Sequence, residues 1–158
     1  MTFQEISENL QQKFGDAVVL VKADAAVDPF IVVAAPSMAD IAHYLREDAA
    51  MQFDYLMCLS GVDRKGTLEV VYHIASMSLK HKLVVKVSVP TDSPEVPSIE
   101  SVWKTANWHE REAYDLFGII FTGHPDLRRI LLPYDWEGYP LRKDFETPEF
   151  YNGMRVPY

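Results

Sequence analysis

The chain is short of cysteine, of long apolar runs and of basic charge, and each shortage excludes a class of protein. Cys58 is the only cysteine among 158 residues, which leaves no internal disulfide, cysteine-bound iron–sulfur cluster or thiolate zinc site. No apolar run approaches the roughly 20 residues of a membrane-spanning helix. The 15 lysines and arginines face 23 aspartates and glutamates, without the basic stripe of a nucleic-acid binder. We therefore expect neither nucleic-acid binding nor direct membrane insertion.

The rest of the composition is that of a globular protein. Hydrophobic residues make up 48% of the chain, and a chain of this length can bury a core within one domain. The stretch Met1–Phe14 is acidic and polar, and it has neither the apolar run of a signal peptide nor the arginines of a transit peptide. A single cysteine also fits a reducing compartment. We expect a cytoplasmic protein of one domain.

Hydrophobic periodicity predicts two helices and five strands before residue 90. Thr2 and Glu5 have the spacing of a capping box at the start of the first helix, and Gly15 suits its end. Ser37 is placed to cap the second helix. The predicted strands are Ala17–Ala23, Phe30–Ala34, Phe53–Leu59, Leu68–Ala75 and Lys82–Val89, with a turn at Gly61–Gly66. This order predicts an α+β fold over residues 1–122, as a two-layer domain with a mainly antiparallel sheet and helices on one face.

The chain changes character after residue 90, where prolines become frequent. Two short helices are predicted near Ile99–Thr105 and Trp108–Phe117, with Asn107 capping the second and Gly118 ending it. Farther on, prolines recur too often for a helix or an inner strand, while aromatic side chains are too many for a disordered tail. We interpret residues 123–158 as an extended, irregular C-terminal arm that binds a partner, within one structural domain overall.

The densest charge lies on the second of these predicted helices. Four charged side chains fall within two turns beside large aromatic residues: Glu110, Arg111, Glu112 and Asp115. Such density suits a face that is buried against another protein with its charges paired. Arg111 and Asp115 have the i,i+4 spacing of a helical ion pair, although in the weaker orientation.

Metal-binding and catalytic alternatives for this stretch have less support. His109-Glu110 begins the zinc-protease pattern, but Ala113 stands where the second histidine is required. His109 and Glu112 are spaced to share a metal ion, which keeps a free-standing metal-dependent enzyme as an alternative function, although no further ligand pair is visible. The carboxylates suit acid–base chemistry, but no nucleophile or second motif points to them.

Several single residues favour structural roles over functional ones. Arg128 and Arg129 suit a phosphate group, but their apolar neighbours favour an interface or an intramolecular ion pair. His124 precedes a proline, and we expect it to fix that turn. Cys58 lies in an apolar strand and is expected to be a buried, inert thiol. The glycines form no phosphate-binding loop and no dinucleotide fingerprint.

The order and spacing of these residues resemble the signature of a known family. Glu110-Arg111-Glu112, Asp115-Leu116-Phe117, His124, Arg128 and Ile130-Leu131 resemble that of the 30-kilodalton subunit of proton-translocating NADH:quinone oxidoreductase, which is respiratory complex I. Trp136–Asp144 resembles the family's continuation. The resemblance is concentrated in residues 103–144, whereas Glu149–Tyr158 matches no pattern of the family.

The resemblance implies a non-catalytic subunit of the peripheral arm of that complex, which passes electrons from NADH to quinone and translocates protons. It implies that this chain binds no cofactor, because FMN and the iron–sulfur clusters belong to partner subunits. It implies contacts with two of these, the quinone-site subunit and the subunit that bears the terminal iron–sulfur cluster, on the cytoplasmic side of the bacterial inner membrane. It also implies a separately encoded chain, with no fused quinone-site subunit and no organelle-targeting extension.

The residues expected at the partner interface are those of the signature and its flanks. They are Trp108, Glu110, Arg111, Glu112, Asp115, Leu116, Phe117, His124, Arg128, Arg129, Ile130, Leu131, Trp136, Arg142, Lys143 and Asp144. A rival interpretation within the family is the homologous subunit of a related membrane-bound hydrogenase or ferredoxin-fed complex, which its set of partner subunits distinguishes from complex I.

Overall fold

The computed structural model describes residues 1–25 and 27–156. Its α-helices are α1 (Phe3–Phe14), α2 (Met38–Glu47) and α3 (Ala106–Phe117). Its strands are β1 (Val18–Lys22), β2 (Phe30–Val33), β3 (Tyr55–Asp63), β4 (Thr67–Ser76), β5 (His81–Pro90), β6 (Glu95–Pro97), β7 (Ile120–Thr122), β8 (Phe150–Tyr151) and β9 (Met154–Arg155). Pro157 and Tyr158, which the sequence prediction included in the C-terminal arm, lie outside the described residues.

The first five strands form one sheet in the order β1-β2-β5-β4-β3. Neighbouring strands are antiparallel except β2 and β5, which run parallel because α2 and the β3–β4 hairpin lie between them in the chain. Strands β4 and β5 pair from Thr67 opposite Pro90 to Ser76 opposite His81. The predicted hairpin and the mainly antiparallel sheet are confirmed.

One face of the sheet carries the hydrophobic core. Alternate residues of the two central strands are buried there, namely Leu68, Val70, Tyr72 and Ile74 of β4 and Leu83, Val85, Val87 and Val89 of β5. Ile6 of α1, Ile41 of α2 and Ala113 of α3 belong to the same cluster. Because a strand alternates its side chains between two faces, this one row meets all three helices. The α+β layers with helices on one face are as predicted.

The ends of α1 follow local rules that the sequence displays. The Thr2 hydroxyl accepts a hydrogen bond from the backbone N–H of Glu5 at 3.3 Å, and the Glu5 carboxylate accepts one from the N–H of Thr2 at 2.8 Å. Gly15 ends the helix with φ 51°. At α2 the prediction was only half right, because Ser37 occupies the N-cap position without a capping hydrogen bond from its side chain.

Three local predictions between residues 53 and 107 were wrong. Gly61 is not in a turn but in β3, which continues to Asp63. The chain over residues 99–105 forms turns instead of a helix, because Ile99, Val102 and Trp103 all enter the core and Trp103 donates its indole N–H to the carbonyl of Phe53 at 2.9 Å. Asn107 lies inside α3, which begins at Ala106.

The chain on either side of α3 contains a ladder that the sequence did not predict. Strands β6 and β7 pair in parallel over three residues each, with Val96 opposite Phe121. Both side chains are buried in the core. The pairing fixes both ends of the segment that carries α3 against the domain. Strands this short show no alternation for a sequence pattern to detect.

The chain after residue 123 is irregular, as predicted, apart from the short β8–β9 hairpin. It also folds back on the domain. Leu141 donates its backbone N–H to the carbonyl of Leu116 at 3.1 Å, and Lys143 donates its N–H to the Asp63 carboxylate at 2.8 Å. The division into a domain and a partner-binding arm stays a prediction.

Substitution of Gly118 tests how closely Tyr139, in the chain that folds back on the domain, packs on the end of α3. Its φ is +73°, and a Cβ at this position would lie 2.5 Å from the Tyr139 ring. We expect Gly118→Ala to lower the free energy of unfolding by about 2–4 kcal/mol, combining left-handed backbone strain with overpacking. Gly123→Ala is the matched control, because Gly123 has φ +83° but no heavy atom within 4 Å of the added Cβ. Urea unfolding of both variants gives the comparison, and equal losses would contradict the Tyr139 contact.

Candidate functional site

Helix α3 presents two different faces. Glu110, Arg111 and Asp115 are buried, with exposures of 0%, 9% and 0%. Trp108 is 70% exposed, and Glu112 lies on the same open side. The charged sequence of this helix is therefore divided between groups that work inside the chain and groups that face solvent.

Asp115 holds the chain that crosses α3. Its Oδ2 accepts hydrogen bonds from three consecutive backbone N–H groups, those of Ile130, Leu131 and Leu132, at 3.0, 2.7 and 2.9 Å. Its Oδ1 accepts one from Nη1 of Arg129 at 2.7 Å. Burial alone raises the pKa of Asp115, but the three N–H groups and the guanidinium outweigh it and hold the pKa below its ordinary value. The group is therefore an anion in the folded chain at neutral pH.

Arg129 extends this attachment to the next part of the tail. Its Nη1 also donates to the carbonyl of Asp115 at 3.0 Å, and its Nη2 donates to the carbonyls of Trp136 and Gly138 at 2.9 and 3.0 Å. Its guanidinium carbon lies 5.5 Å from the centroid of the Tyr139 ring. One ion pair, whose carboxylate is fully buried, thus joins α3, residues 129–132 and residues 136–139. We call this arrangement the Asp115–Arg129 clamp.

Arg111 does not form the predicted helical ion pair with Asp115. Its Nε and Nη2 donate to the carbonyls of Arg128 and Arg129, each at 3.2 Å. Asp115 pairs with Arg129 instead, because the crossing chain brings that guanidinium to the buried carboxylate. Arg111 therefore supports the same crossing chain one turn earlier on the helix.

Glu110 is buried among hydrogen-bond donors on the N-terminal side of α3. Its carboxylate accepts hydrogen bonds from the Ser98 hydroxyl at 2.6 Å and from the backbone N–H of Ile99 at 2.8 Å. Burial raises its pKa from 4.5 to about 7, although these two donors act in the opposite direction. Burial, with Glu110 as a second cause, also raises the pKa of Tyr72 well above its ordinary value. Among the described residues, the Tyr72 hydroxyl has no hydrogen-bond partner.

These contacts show that three of the predicted interface residues have partners within the chain. Glu110, Arg111 and Asp115 form an internal network and are buried in the free chain. Arg111 also lines the outer surface of the helix. Contact of these residues, and of the other predicted interface residues, with a partner subunit stays a prediction.

The other signature residues mostly fix the course of the tail. His124 contacts the carbonyl of Asn107 through Nε2 at 3.0 Å, and its Nδ1 accepts from the N–H of Asp126 at 3.0 Å, which confirms that it fixes the turn. Arg128 pairs with Asp126 at 2.9 Å. Both arginines of the Arg128-Arg129 pair therefore form intramolecular ion pairs, one of the two roles expected for them.

The C-terminal half of the signature packs on the end of α3. Arg142 donates from Nε to the carbonyl of Phe117 at 2.6 Å, and its guanidinium carbon lies 4.9 Å from the Tyr139 ring centroid. The Phe117 ring lies against Gly61, where an added Cβ would be only 2.6 Å from the ring. Asp144 is exposed, and the backbone of Lys143 is held by Asp63.

The open side of α3 and the clamped segment together form an exposed apolar surface. It is a hollow of about 540 Å³ lined by Trp108, His109, Arg111, Glu112, Ile130 and Leu131. Leu131 is 63% exposed, although its backbone is fixed by Asp115. We call this surface the α3 patch. An exposed tryptophan beside an exposed leucine and a carboxylate is typical of a protein-binding surface.

The described residues offer no additional ligands for a metal site at His109 and Glu112. Within residues 1–25 and 27–156, no group of three or more histidine, cysteine, aspartate or glutamate side chains is arranged to hold a metal ion. His109 and Glu112 line the α3 patch, but a metal site needs further ligands. In the same ranges no helix has the length and hydropathy to cross a bilayer.

The expectation that Cys58 is a buried thiol was only partly right. Its side chain is half-buried, and its Sγ lies 3.2 Å from the Ser60 hydroxyl.

Several residues of the site had not been recognised in the sequence. Ser98 donates a hydrogen bond to Glu110, which lies 12 positions further along the chain. The Tyr139 ring contacts Arg129, which lies 10 positions before it. Asp63, whose pKa is lowered chiefly by the hydrogen bonds from the Lys143 and Lys65 backbones, lies 80 positions from Lys143. Contacts over such separations leave no local spacing signal.

Comparison with known proteins gives a consistent result. Residues 31–151 match the profile of a family described as respiratory-chain NADH dehydrogenase, 30 Kd subunit. The C subunit of the NADH-quinone oxidoreductase of Chloroherpeton thalassium is 50% identical over 151 residues, covering 94% of this chain and 63% of that protein. Its counterpart in Chlorobium phaeobacteroides is 47% identical over 152 residues, covering 94% of this chain and 92% of that protein. The chain thus spans less than two thirds of the first relative and nearly all of the second.

Two solved structures resemble the chain in fold. The trypsin-resistant fragment (1-134) of Nqo5 has a TM-score of 0.65 and 30% identity, and the match covers 80% of this chain and all of that one. A chain of the membrane-bound sulfane sulfur reductase, an archaeal respiratory membrane complex, has a TM-score of 0.73 and 26% identity over 90% of this chain and 85% of that one.

The clamp predicts a large loss of stability from removing one charge. Asp115→Ala leaves the Arg129 guanidinium and three backbone N–H groups without their acceptor. We expect it to lower the free energy of unfolding by about 3–5 kcal/mol. Glu112→Ala, on the open side of the same helix, should change it by at most about 0.5 kcal/mol. Urea unfolding of the free chain measures both values, and a small loss for Asp115→Ala would show that the clamp does not hold in the free chain.

The raised pKa of Glu110 predicts that its contribution to the stability of the fold depends on pH with the opposite sign to that of Asp115. Its pKa is raised from 4.5 to about 7 in the folded chain, so the folded state binds more protons than the unfolded state between these values. Its contribution therefore makes the fold less stable as pH rises from 4.5 to 7, by about 3 kcal/mol in total, and constant above that range. Asp115, whose pKa is lowered, contributes stability that is lost only in more acidic solution.

The variant Glu110→Gln isolates this effect because it cannot ionise. Its amide oxygen can still accept from the N–H of Ile99, and its amide N–H can donate to the Ser98 hydroxyl. We expect the difference in unfolding free energy between the variant and the natural chain to shift in favour of the variant from pH 5 to pH 8. Urea unfolding at both pH values provides the four numbers required. A difference that is independent of pH would mean that Glu110 is not held in a desolvated site.

Proposed function

The chain belongs to the family of the 30 kDa subunit of respiratory-chain NADH dehydrogenase, and from that premise we propose that it is a non-catalytic subunit of the peripheral arm of NADH:quinone oxidoreductase. In this proposal the complex passes electrons from NADH through FMN and iron–sulfur clusters to quinone and couples the reaction to proton translocation. The chain itself holds no cofactor. Its task is to position the quinone-site subunit and the cluster-bearing subunit relative to each other.

The observation that carries the proposal is the α3 patch. The clamp uses the charges of α3 to fix the crossing chain, and this leaves Trp108 and Leu131 exposed by 70% and 63% on one surface. Ordinary soluble surfaces expose such residues singly. Tryptophan is among the residues that most often dominate binding energy.

We assign this patch to the contact with the quinone-site subunit. The predicted interface residues that line it are Trp108, Arg111, Glu112, Ile130 and Leu131. The cluster-bearing subunit would lie nearby, and the complex would hold the chain at the cytoplasmic side of the cell membrane. This assignment rests on the family resemblance and on the exposure of Trp108 and Leu131 in the free chain.

A second candidate is the corresponding subunit of a related membrane complex with another electron donor. It is favoured by the fold likeness to a chain of the membrane-bound sulfane sulfur reductase. The set of partners separates the two candidates. Affinity purification of this chain from its host should recover NADH-binding flavin subunits if the complex is NADH:quinone oxidoreductase. Recovery of a complex without them would favour the second candidate.

A free-standing metal enzyme using His109 and Glu112 is the alternative from another class. Elemental analysis of the gently purified chain tests it directly. Stoichiometric zinc or iron that is lost in His109→Ala would favour the metal enzyme and contradict a purely assembling role.

Trp108→Ala tests the role of the patch in assembly. If Trp108 is a dominant contact with the quinone-site subunit, its removal should weaken association by about 30-fold or more, corresponding to at least about 2 kcal/mol. Because the side chain is exposed in the free chain, the thermal unfolding midpoint should hardly change. Tyr55→Ala is the matched control, since Tyr55 is an aromatic residue of β3 that is 49% exposed and lies outside both the patch and the predicted arm.

The measurements are the yield of assembled complex, its quinone reductase activity per complex, and the melting curve of the free variant. We expect yield to fall for Trp108→Ala alone, with normal activity in the complex that does form. Normal yield with reduced activity per complex would indicate a catalytic role. Unfolding of the free variant would indicate that Trp108 acts in the fold and not in assembly.

A further inference from the structure

A second cavity lies in the tail, away from the α3 patch. It has a volume of about 250 Å³ and is formed between residues 135–137 and residues 148–152. The β8–β9 hairpin contributes one wall. The segment that Arg129 holds through the carbonyl of Trp136 contributes the other. None of its lining residues takes part in the α3 patch.

Aromatic rings line this cavity. The Trp136 and Tyr151 ring centroids are 5.1 Å apart, and the rings are tilted by 46°. Phe150 is 58% exposed at the same cavity. The faces of such rings carry partial negative charge and attract cations, most strongly in the case of tryptophan.

Two carboxylates complete the lining. Asp135 and Glu137 are exposed, and no ion pair within residues 1–25 and 27–156 involves either of them. The hydroxyl of Tyr151 donates to Oδ1 of Asp135 at 2.8 Å, which fixes that carboxylate beside the ring. Nε1 of Trp136 is buried and has no acceptor among the described residues. A buried N–H without an acceptor is costly.

We propose that this cavity binds an arginine side chain presented by a neighbouring subunit of the complex. A guanidinium fits because it is planar, stacks on aromatic faces and donates to carboxylates in pairs. The source of the arginine rests on the proposed function, whereas the binding of a guanidinium by the cavity does not. Lysine, a second copy of this chain, and the chain's own Arg155 on β9 are the other possible occupants.

The indole N–H signals of the free chain provide the direct test. The chain has three tryptophans, and their nitrogen–proton signals are assigned by single Trp→Phe variants. We expect N-acetyl-arginine methylamide to shift the Trp136 signal saturably at millimolar concentration, a range typical of a single weak contact. The buried Trp103 signal should not move. The citrulline analogue, which has the same shape without the charge, should give no saturable shift.

Charge variants locate the contact. Asp135→Asn and Glu137→Gln should each weaken binding of the arginine probe by about fivefold, which converts to about 1 kcal/mol. Glu146→Gln removes an exposed carboxylate of the same tail that does not line the cavity and should leave binding unchanged. Equal shifts with citrulline, or equal affinity in all three variants, would overturn the proposal. Tighter binding of the lysine analogue, a shift that depends only on protein concentration, or binding that appears only in Arg155→Ala would overturn it in favour of another occupant.

Assembly then tests where the arginine comes from. Asp135→Lys should reduce the yield of complex while the free chain melts normally. If the probe binds but this variant assembles normally, the cation does not come from a neighbouring subunit, and the proposal fails without affecting the α3 patch. If Trp108→Ala assembles normally while the probe binds, the failure belongs to the proposed function instead.

Discussion

A buried carboxylate that holds an irregular stretch of backbone is the constraint on which this structure depends. Asp115 accepts hydrogen bonds from the backbone N–H groups of residues 130–132 and from the guanidinium of Arg129. Residues 129–132 belong to no helix or strand. Backbone groups must be satisfied wherever they are shielded from water, and a chain crossing a helix has no neighbouring strand to satisfy them. The carboxylate provides the hydrogen-bond acceptors that a neighbouring strand would otherwise provide. Arg129 supplies the matching donors for the carbonyls of residues 136 and 138.

This arrangement changes how the charged helix is understood. Buried ion pairs often add little net stability compared with apolar residues of the same shape, but leaving one partner alone is costly. The clamp therefore acts mainly by selecting one course for the tail over others. That course places Ile130 and Leu131 beside Trp108 and forms the α3 patch. The internal charges thus shape the surface that we propose as a binding site, and of the three buried charged residues of α3 only Arg111 lines it.

The sequence predicts those features that depend on near neighbours. The Thr2–Glu5 capping box, the end of α3 at Gly118 and the alternation of β4 and β5 follow rules that span a few residues, and all three are present. Local spacing failed at Asp115, because Arg111 has the i,i+4 spacing of a helical ion pair while the actual partner, Arg129, lies 14 positions away. It failed at Ile99–Thr105 for a related reason, since the burial of Trp103 against Phe53 depends on how distant parts of the chain meet. The signature residues were recognised, but their division between internal support and exposed surface required the fold.

Hydrogen exchange of the free chain tests the clamp most directly. Residues 130–132 lie outside regular secondary structure, and exposed irregular backbone exchanges almost without protection. If Asp115 binds their N–H groups in the absence of any partner, exchange of all three should be slowed by about a thousandfold or more, which converts to an opening free energy of about 4 kcal/mol. Exchange of these three amides at the rate of an unfolded peptide would contradict the account. It would mean that the charges of α3 await a partner rather than hold the chain's own tail.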